Sequence, residues 1–424
     1  MSGHGAVGSS VRAAAIAVAA AAGMVLGGCT YETEFDFREP AAPTSALPSA
    51  AVPSDRHQSL KFPGLEPKAQ LKHDSQELIN AGASAVLLEL RVGAEAWTYA
   101  AGARKPGGEA ARATDPIPAG DITQSLVAVS VLKLADEGRL SLDEPASSYL
   151  PELPNLFPHE EPYTVRDLLR HTSGMPDYYT ALLNSPELQQ ALATRRGPED
   201  KLALAAALPW QRYPAQWASY SNSNYIALGL IVERLRGKPL SDVLRAEIWQ
   251  PLNLTGTRLT DDGPVPDDMV HGYTLIDAEP ADAAFAALHV GAADTGLVST
   301  VGDLNTFFGA LLDGRLVTRD LVAEMQGPIH AKFGLGLYKW KDSCTNGFYV
   351  GYAGDIPGYG SVAMASADGS RRIALAVAYA PAPLVYGTNI LDGRLTGIAE
   401  GALNASCRFG SGVTFGEEAA GPHE

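Results

Sequence analysis

The segment Asp121–Asp136 constrains the fold most. Ile122, Leu126, Val129 and Leu132 fall on one side of a helical wheel, and Val127, Val131 and Leu134 fall on another. Apolar side chains therefore cover most of the circumference, which predicts a helix enclosed by the rest of the fold rather than laid on its surface. The flanking sequence supplies the enclosure. Lys68–Asn80 has helical spacing, with Leu71, Leu78 and Ile79 on one side, and the strand-like runs Ser84–Arg91 and Ala96–Ala101 follow around Val92-Gly93. A long, mostly helical stretch with Pro-rich loops then runs to about Ala284. Strand patterns return at Phe348–Tyr352, Tyr359–Ser366 and Ile373–Tyr379 between Gly-rich turns. The reading is an α/β (α+β) domain whose sheet is built from both ends of the chain, with a helical region inserted between them.

Composition narrows the function. With 48 acidic and 32 basic side chains, the formal charge of −16 excludes an unaided nucleic-acid binder, which needs a basic surface to neutralise phosphates. The 46% hydrophobic content excludes a disordered chain. Residues 1–28 carry a single charge, Arg12, and the 14-residue apolar run Ala13–Leu26 is too short to span a bilayer of roughly 30 Å. It reads as a signal peptide. Leu26-Gly27-Gly28-Cys29 resembles the bacterial lipobox, so Cys29 is expected to become a lipid-carrying N-terminus once residues 1–28 are removed. Residues 29–67, rich in Pro, Ala and Ser, then form a flexible linker. The expected location is extracytoplasmic and lipid-anchored to the cell membrane, with the lipid as the membrane contact. Residues 68–407 form the folded domain, with an α/β part from about 68–120 and 290–407 and a helical part over about 121–289, and 408–424 a C-terminal tail. The nine histidines are scattered and no His-x-x-x-His or Cys-x-x-Cys occurs, so no metal and no cofactor is expected.

Five segments, in order, resemble one superfamily: Val131–Pro145, His171-Thr172-Ser173-Gly174, Tyr220-Ser221-Asn222, Ser299–Leu304 and Gly334-Leu335-Gly336-Leu337. The superfamily is that of the class C β-lactamases and D-alanyl-D-alanine carboxypeptidases, and the chain is most similar to its secreted carboxypeptidase branch. The resemblance, over roughly residues 68–407, implies a mainly antiparallel sheet flanked by helices, an inserted helical domain and a cleft between them. Family members attack a carbonyl with a serine activated by a lysine one helical turn later, an i, i+3 pair on one helix face. Counting back from Leu132–Leu140, that pair falls on Asp121 and Gln124. Both reacting groups are replaced, and a neutral amide is no general base near neutral pH. Read without the family, Asp121 and Gln124 are nearly a capping box, with the Asp121 carboxylate on the first-turn amides.

Other serines do not substitute easily. The literal pattern Ser130-Val131-Leu132-Lys133 starts nine positions beyond Asp121, about 13 Å along a helix and roughly half a turn around. Ser125 faces the expected direction with no base beside it. An active serine hydrolase, esterase or peptidase, using Ser125, Ser221 or the Asp121 carboxylate, is the rival reading.

The family's Tyr-x-Asn motif stands as Tyr220 and Asn222, and the resemblance places both in the cleft. Its third motif aligns to Tyr352-Ala353-Gly354, followed by Asp355. Ala353, Asp355 and Tyr338 fall where carboxypeptidase relatives bind a terminal carboxylate. Against an active template the cleft is four charges more negative, and one charge at 4 Å is worth about 4 kcal/mol even at an effective dielectric near 20. That disfavours anionic ligands. The resemblance also implies a Cys344–Cys407 disulfide, which export permits. The expectation is a pseudoenzyme lipoprotein that binds a cell-wall peptide or a protein, or assists assembly, without acyl transfer.

Overall fold

The computed structural model describes residues 67–408, apart from 158–161, 186–187, 211–217, 261–264, 277–278, 286–288, 328–332 and 381–389. The signal segment, Cys29, the linker before Pro67 and the tail beyond Arg408 lie outside the described residues.

Six strands form the main sheet: β1 (Ala83–Val92), β2 (Glu95–Gly102), β8 (Tyr338–Asp342), β9 (Gly347–Ile356), β10 (Tyr359–Ser366) and β11 (Arg371–Tyr379). Their order is β2-β1-β11-β10-β9-β8, with every neighbouring pair antiparallel. The two ends of the chain meet where β1 pairs β11, Leu88 opposite Leu375. The apolar run in β1 serves both faces, because successive side chains point to opposite sides of a sheet. Val86, Leu88 and Leu90 join Leu71 and Leu78 of α1 (Pro67–Asn80) and Leu395, Ala399 and Leu403 of α13 (Ile390–Ala405) in an outer core. Ala85 and Leu87 join the main core on the other face.

The inner face carries α2 (Thr123–Asp136) and α11 (Val301–Leu312). Every α2 residue from Thr123 to Leu132, and Leu134, is buried, as an all-round apolar helix requires. Beyond α2 come α3 (Leu153–Leu156), α4 (Val165–Leu169), α5 (Tyr178–Leu183), α6 (Leu188–Ala193), α7 (Pro198–Ala206), α8 (Asn222–Arg236), α9 (Leu240–Leu244) and α10 (Gln250–Leu252), and α12 (Arg319–Met325) follows α11. Three differences from the sequence reading appear. The stretch before Ala284 also holds β4 (Arg258–Leu259) and the hairpin β5 (Tyr273–Ile276) and β6 (Glu279–Asp282). A small sheet of β3 (Ile117–Gly120), β7 (Leu297–Ser299) and β4 stands at the base of α2. The helix itself begins at Thr123, and no side chain caps it at Ile122. The Asp121 carboxyl is therefore not an N-cap.

Candidate functional site

The joint between β3 and α2 is fixed from several sides. Gly120 turns the chain at φ +53, and the Thr123 hydroxyl donates to Gly120 O at 2.6 Å while accepting the Leu297 N–H at 3.0 Å. Two glycines let other segments approach closely. A Cβ at Gly354 would lie 2.4 Å from Ala119 O and 2.8 Å from Asp121 N. One at Gly336, at φ +72, would lie 2.3 Å from the Ala128 Cβ. Any side chain at either position forces the backbones apart. Through Gly354, β9 lies directly on the start of α2, and the Asp355 N–H donates to Asp121 Oδ2 at 2.9 Å.

Around that contact a polar floor assembles. Asp121, 9% exposed, accepts at Oδ1 from the Tyr220 hydroxyl and from Gln124 Nε2 at 3.3 Å. Gln124, fully buried, also donates from Nε2 to Tyr220 Oη at 2.7 Å and to Asn222 Oδ1 at 3.3 Å, while its Oε1 accepts from the Tyr352 hydroxyl at 2.6 Å. Asn222 Nδ2 donates to Asp177 Oδ2 at 3.3 Å. The i, i+3 spacing from Asp121 to Gln124 thus does bring the two side chains together, and Tyr220, Asn222 and Tyr352 converge on them.

Burial governs the charge state of this floor. Desolvation raises the Asp121 carboxyl to about 8, opposed by the Tyr220 and Asp355 hydrogen bonds and assisted by the carboxylates of Asp294 and Asp355. The hydroxyls of Tyr220 and Tyr352 are held well above the usual phenol range, first by burial. Beneath the floor lies a second buried polar group, in which Tyr178 donates to Asp294 Oδ2 at 2.7 Å and Lys201 Nζ sits 5.3 Å from the Tyr178 ring. At neutral pH Asp121 is mainly the neutral acid.

The remaining sequence candidates distribute unevenly. Gly354 contributes closeness, and Asp355 contributes its backbone N–H while its side chain is exposed. Ala353 packs against the outer core, on the opposite face of β9 from Tyr352, so the alternation of the strand keeps it off the floor. Tyr338 reaches the site through rings: Phe333 is 5.2 Å from Tyr338, 5.9 Å from Tyr220 and 5.0 Å from His171. The rival nucleophiles are engaged elsewhere. Ser125 donates to Gly336 O at 2.7 Å and Ser221 to Pro176 O at 3.1 Å, both with no exposed surface. Ser130 is buried about two and a half turns further along α2 from Asp121. Two site residues escaped the sequence reading. Asp177 carries no pattern, and His171 stands in the matched segment His171-Thr172-Ser173-Gly174, which carries the resemblance without marking a role for the ring. Among the described residues, no group of three His, Cys, Asp or Glu is placed to hold a metal.

Residues 76–383 match the family described as Beta-lactamase. The chain belongs to that family. Among curated relatives, it is 26% identical over 262 residues to the putative penicillin-binding protein PbpX of Bacillus subtilis (strain 168), covering 60% of each chain. It is 33% identical over 142 residues to the esterase EstB of Burkholderia gladioli, covering 31% of this chain and 36% of EstB. The matches thus span about 60% or less of these relatives' lengths. A D-stereospecific amidohydrolase from Streptomyces sp. superposes with a TM-score of 0.64 at 27% identity, over 73% of this chain and 94% of that one. The D-amino acid amidase of Ochrobactrum anthropi SV3, solved with L-phenylalanine, superposes at 0.69 over 81% of this chain and 99% of that one; its 24% identity bears on the fold alone. The β-lactamase/transpeptidase-like fold, mixed α/β with a mainly antiparallel sheet flanked by helices, is shared with these structures.

Proposed function

We infer that this β-lactamase-family chain is a cell-envelope lipoprotein that binds a ligand in its cleft and does not perform acyl transfer. The observation that carries the reading is the use made of the cleft's hydrogen-bond donors. The Tyr220 hydroxyl, the Gln124 amide and the Asp355 N–H all converge on the Asp121 carboxyl. Acyl transfer depends on preorganised donors aimed at an oxyanion, and here such donors already serve a side chain of the protein itself. Asp121 is in addition largely neutral near pH 7, which removes it as a nucleophile, and Gln124 supplies no base.

The ligand on this reading is a wall-derived peptide or an envelope protein. Anionic penicillins are disfavoured, because Asp355 and Asp177 bring negative charge to this end of the cleft and, among the described residues, no cationic side chain faces the neutral Asp121 acid to hold a carboxylate. Relatives that are amidases and esterases define the test. Purified protein incubated with D-amino acid amides and activated esters is expected to show no turnover above buffer. Turnover that survives repurification and is lost in Ser125→Ala or Ser221→Ala would establish the serine-hydrolase reading instead.

A further inference from the structure

Among the described residues His171 is a buried histidine with both ring nitrogens engaged, Nε2 toward the floor and Nδ1 away from it, and its partners fix where its proton sits. A backbone N–H can only donate, and the Ser221 N–H lies 3.2 Å from Nδ1. Asn224 Nδ2 approaches the same nitrogen at 3.2 Å. Nδ1 must therefore present its lone pair, which leaves the proton on Nε2. Nε2 lies 3.3 Å from the Tyr352 hydroxyl. With its oxygen accepting from histidine, Tyr352 directs its own proton onward, 2.6 Å to Gln124, and the atom met there must be a carbonyl oxygen. The two ends of the Gln124 amide are thereby distinguished, and the NH2 end is turned toward Asp121, Tyr220 and Asn222.

We propose that His171 is the positioning residue of the cleft: as the Nε2–H tautomer it sets the direction of the chain His171, Tyr352, Gln124, Asp121, and so holds the Asp121 carboxyl against the Asp355 N–H. The backbone bears this out, since His171 is fully buried at φ +58, a conformation uncommon for residues other than glycine and one in which histidine is enriched several-fold. Strain of this kind persists where the surroundings over-determine it. Here Ser219 N–H donates to His171 O at 2.8 Å, and the Tyr220 and Phe333 rings pack on the imidazole at 4.5 and 5.0 Å. The inference rests on the ligand-binding reading of the cleft, and it names the residue that organises it.

The groups facing Asp121 are Gln124 on its own helix, Tyr220 ahead of α8, Tyr352 and Asp355 on β9, Tyr179 at α5 and Asp294 ahead of β7, with Asn222 behind Gln124 and Asp177 behind Asn222. Among the described residues Tyr352 is the hydrogen-bonded link from His171 to Gln124, which makes a two-part test decisive. Nitrogen-15 spectra of the full-length chain labelled at histidine are expected to show His171 with a pyridine-like Nδ1 and a protonated Nε2, unchanged from about pH 5 to 9. In Tyr352→Phe, which leaves the His171 backbone alone, Gln124 loses its directing partner. The Asp121 carboxyl, followed by carbon-13 resonance, should then titrate at higher pH than in wild type. His171→Gln, whose side-chain amide N–H reaches about as far as Nε2, should keep part of the wild-type titration where His171→Phe does not. A proton on Nδ1, or an Asp121 titration identical in wild type and Tyr352→Phe, overturns the proposal. Neither result depends on whether the chain turns over an ester, so failure here and failure of the non-catalytic reading are told apart.

Discussion

At the scale of single residues, the buried Asp121 carboxyl decides what the floor does with protons. The folded state raises this carboxyl from 3.8 to about 8, so between those values the native chain holds a proton that the unfolded chain has released. Stability from this group is complete below about pH 4 and falls as pH rises toward 8. His171 and His289 act in the opposite sense, because burial lowers both from 6.5 to about 3, and their stability is lost as pH falls below 6.5. Below pH 6.5 two histidine protons outweigh one carboxyl, and above it Asp121 acts alone among the three. Asp121→Asn keeps an acceptor for the Asp355 N–H and carries no charge at any pH, so it imitates the uncharged state of the acid. Urea unfolding from pH 6.5 to 8 should show wild type losing up to about 1.4 kcal/mol per pH unit relative to Asp121→Asn. Parallel curves would mean that Asp121 is already ionised at pH 6.5. The identity of the floor residues was legible because Asp121, Gln124, Tyr220, Asn222 and Tyr352 sit at readable offsets from matched segments. Their bonding was not. A near capping box is a local pattern, and the Asp355 N–H that displaces it is supplied by a strand more than 200 residues away.

At the scale of elements, the long strands and the enclosed helix could be read from periodicity, while short elements made by long-range pairing could not. Ile117–Gly120 and Leu297–Ser299 are too brief to show an alternation, and they exist as strands because they pair with each other beneath α2. Tyr338–Asp342 alternates aromatic and charged residues at a sheet edge, a pattern with little apolar signal. The Cys344–Cys407 disulfide spans 63 positions and ties the turn between β8 and β9 to the end of α13. Beside it the buried Arg371 guanidinium donates to Asp342 Oδ2 at 2.9 Å and to the carbonyl of Leu403 at 3.1 Å. Closing a loop of that length is worth about 4 kcal/mol on a chain-entropy account, and breaking it should lower the melting temperature. Because α13 packs on the outer face of the sheet, the floor residues should be untouched. Cys344→Ser with Cys407→Ser is therefore expected to melt earlier with an unchanged Asp121 titration. A change in that titration would couple the outer face to the cleft and contradict this separation.

At the scale of the whole molecule, the β-lactamase-family fold is intact, and on the proposed reading the reacting groups at its cleft floor have been exchanged. The setting proposed for it is the cell envelope. Among the described residues no helix is long and apolar enough to cross a membrane. On the proposed lipoprotein reading the anchor is the lipid on Cys29. The Cys29→Ala chain should leave the detergent phase in partition assays, and retention there would reveal another anchor. On the proposed reading, the groups at Asp121 and Gln124 are what first keep this cleft from acylating. Gln124 already lies 2.7 Å from the Tyr220 hydroxyl and 3.3 Å from Asn222, so a lysine there would meet the groups its role requires. Recovery should be small, because Tyr352 and Asp355 still offer no cationic seat for a carboxylate. The most direct measurement is intact mass after incubation with a neutral activated ester and with a fluorescent penicillin, for wild type, Asp121→Ala and Asp121→Ser with Gln124→Lys. The account predicts no adduct on wild type and a partial ester adduct on the double variant. An adduct on wild type that persists in Asp121→Ala would contradict it.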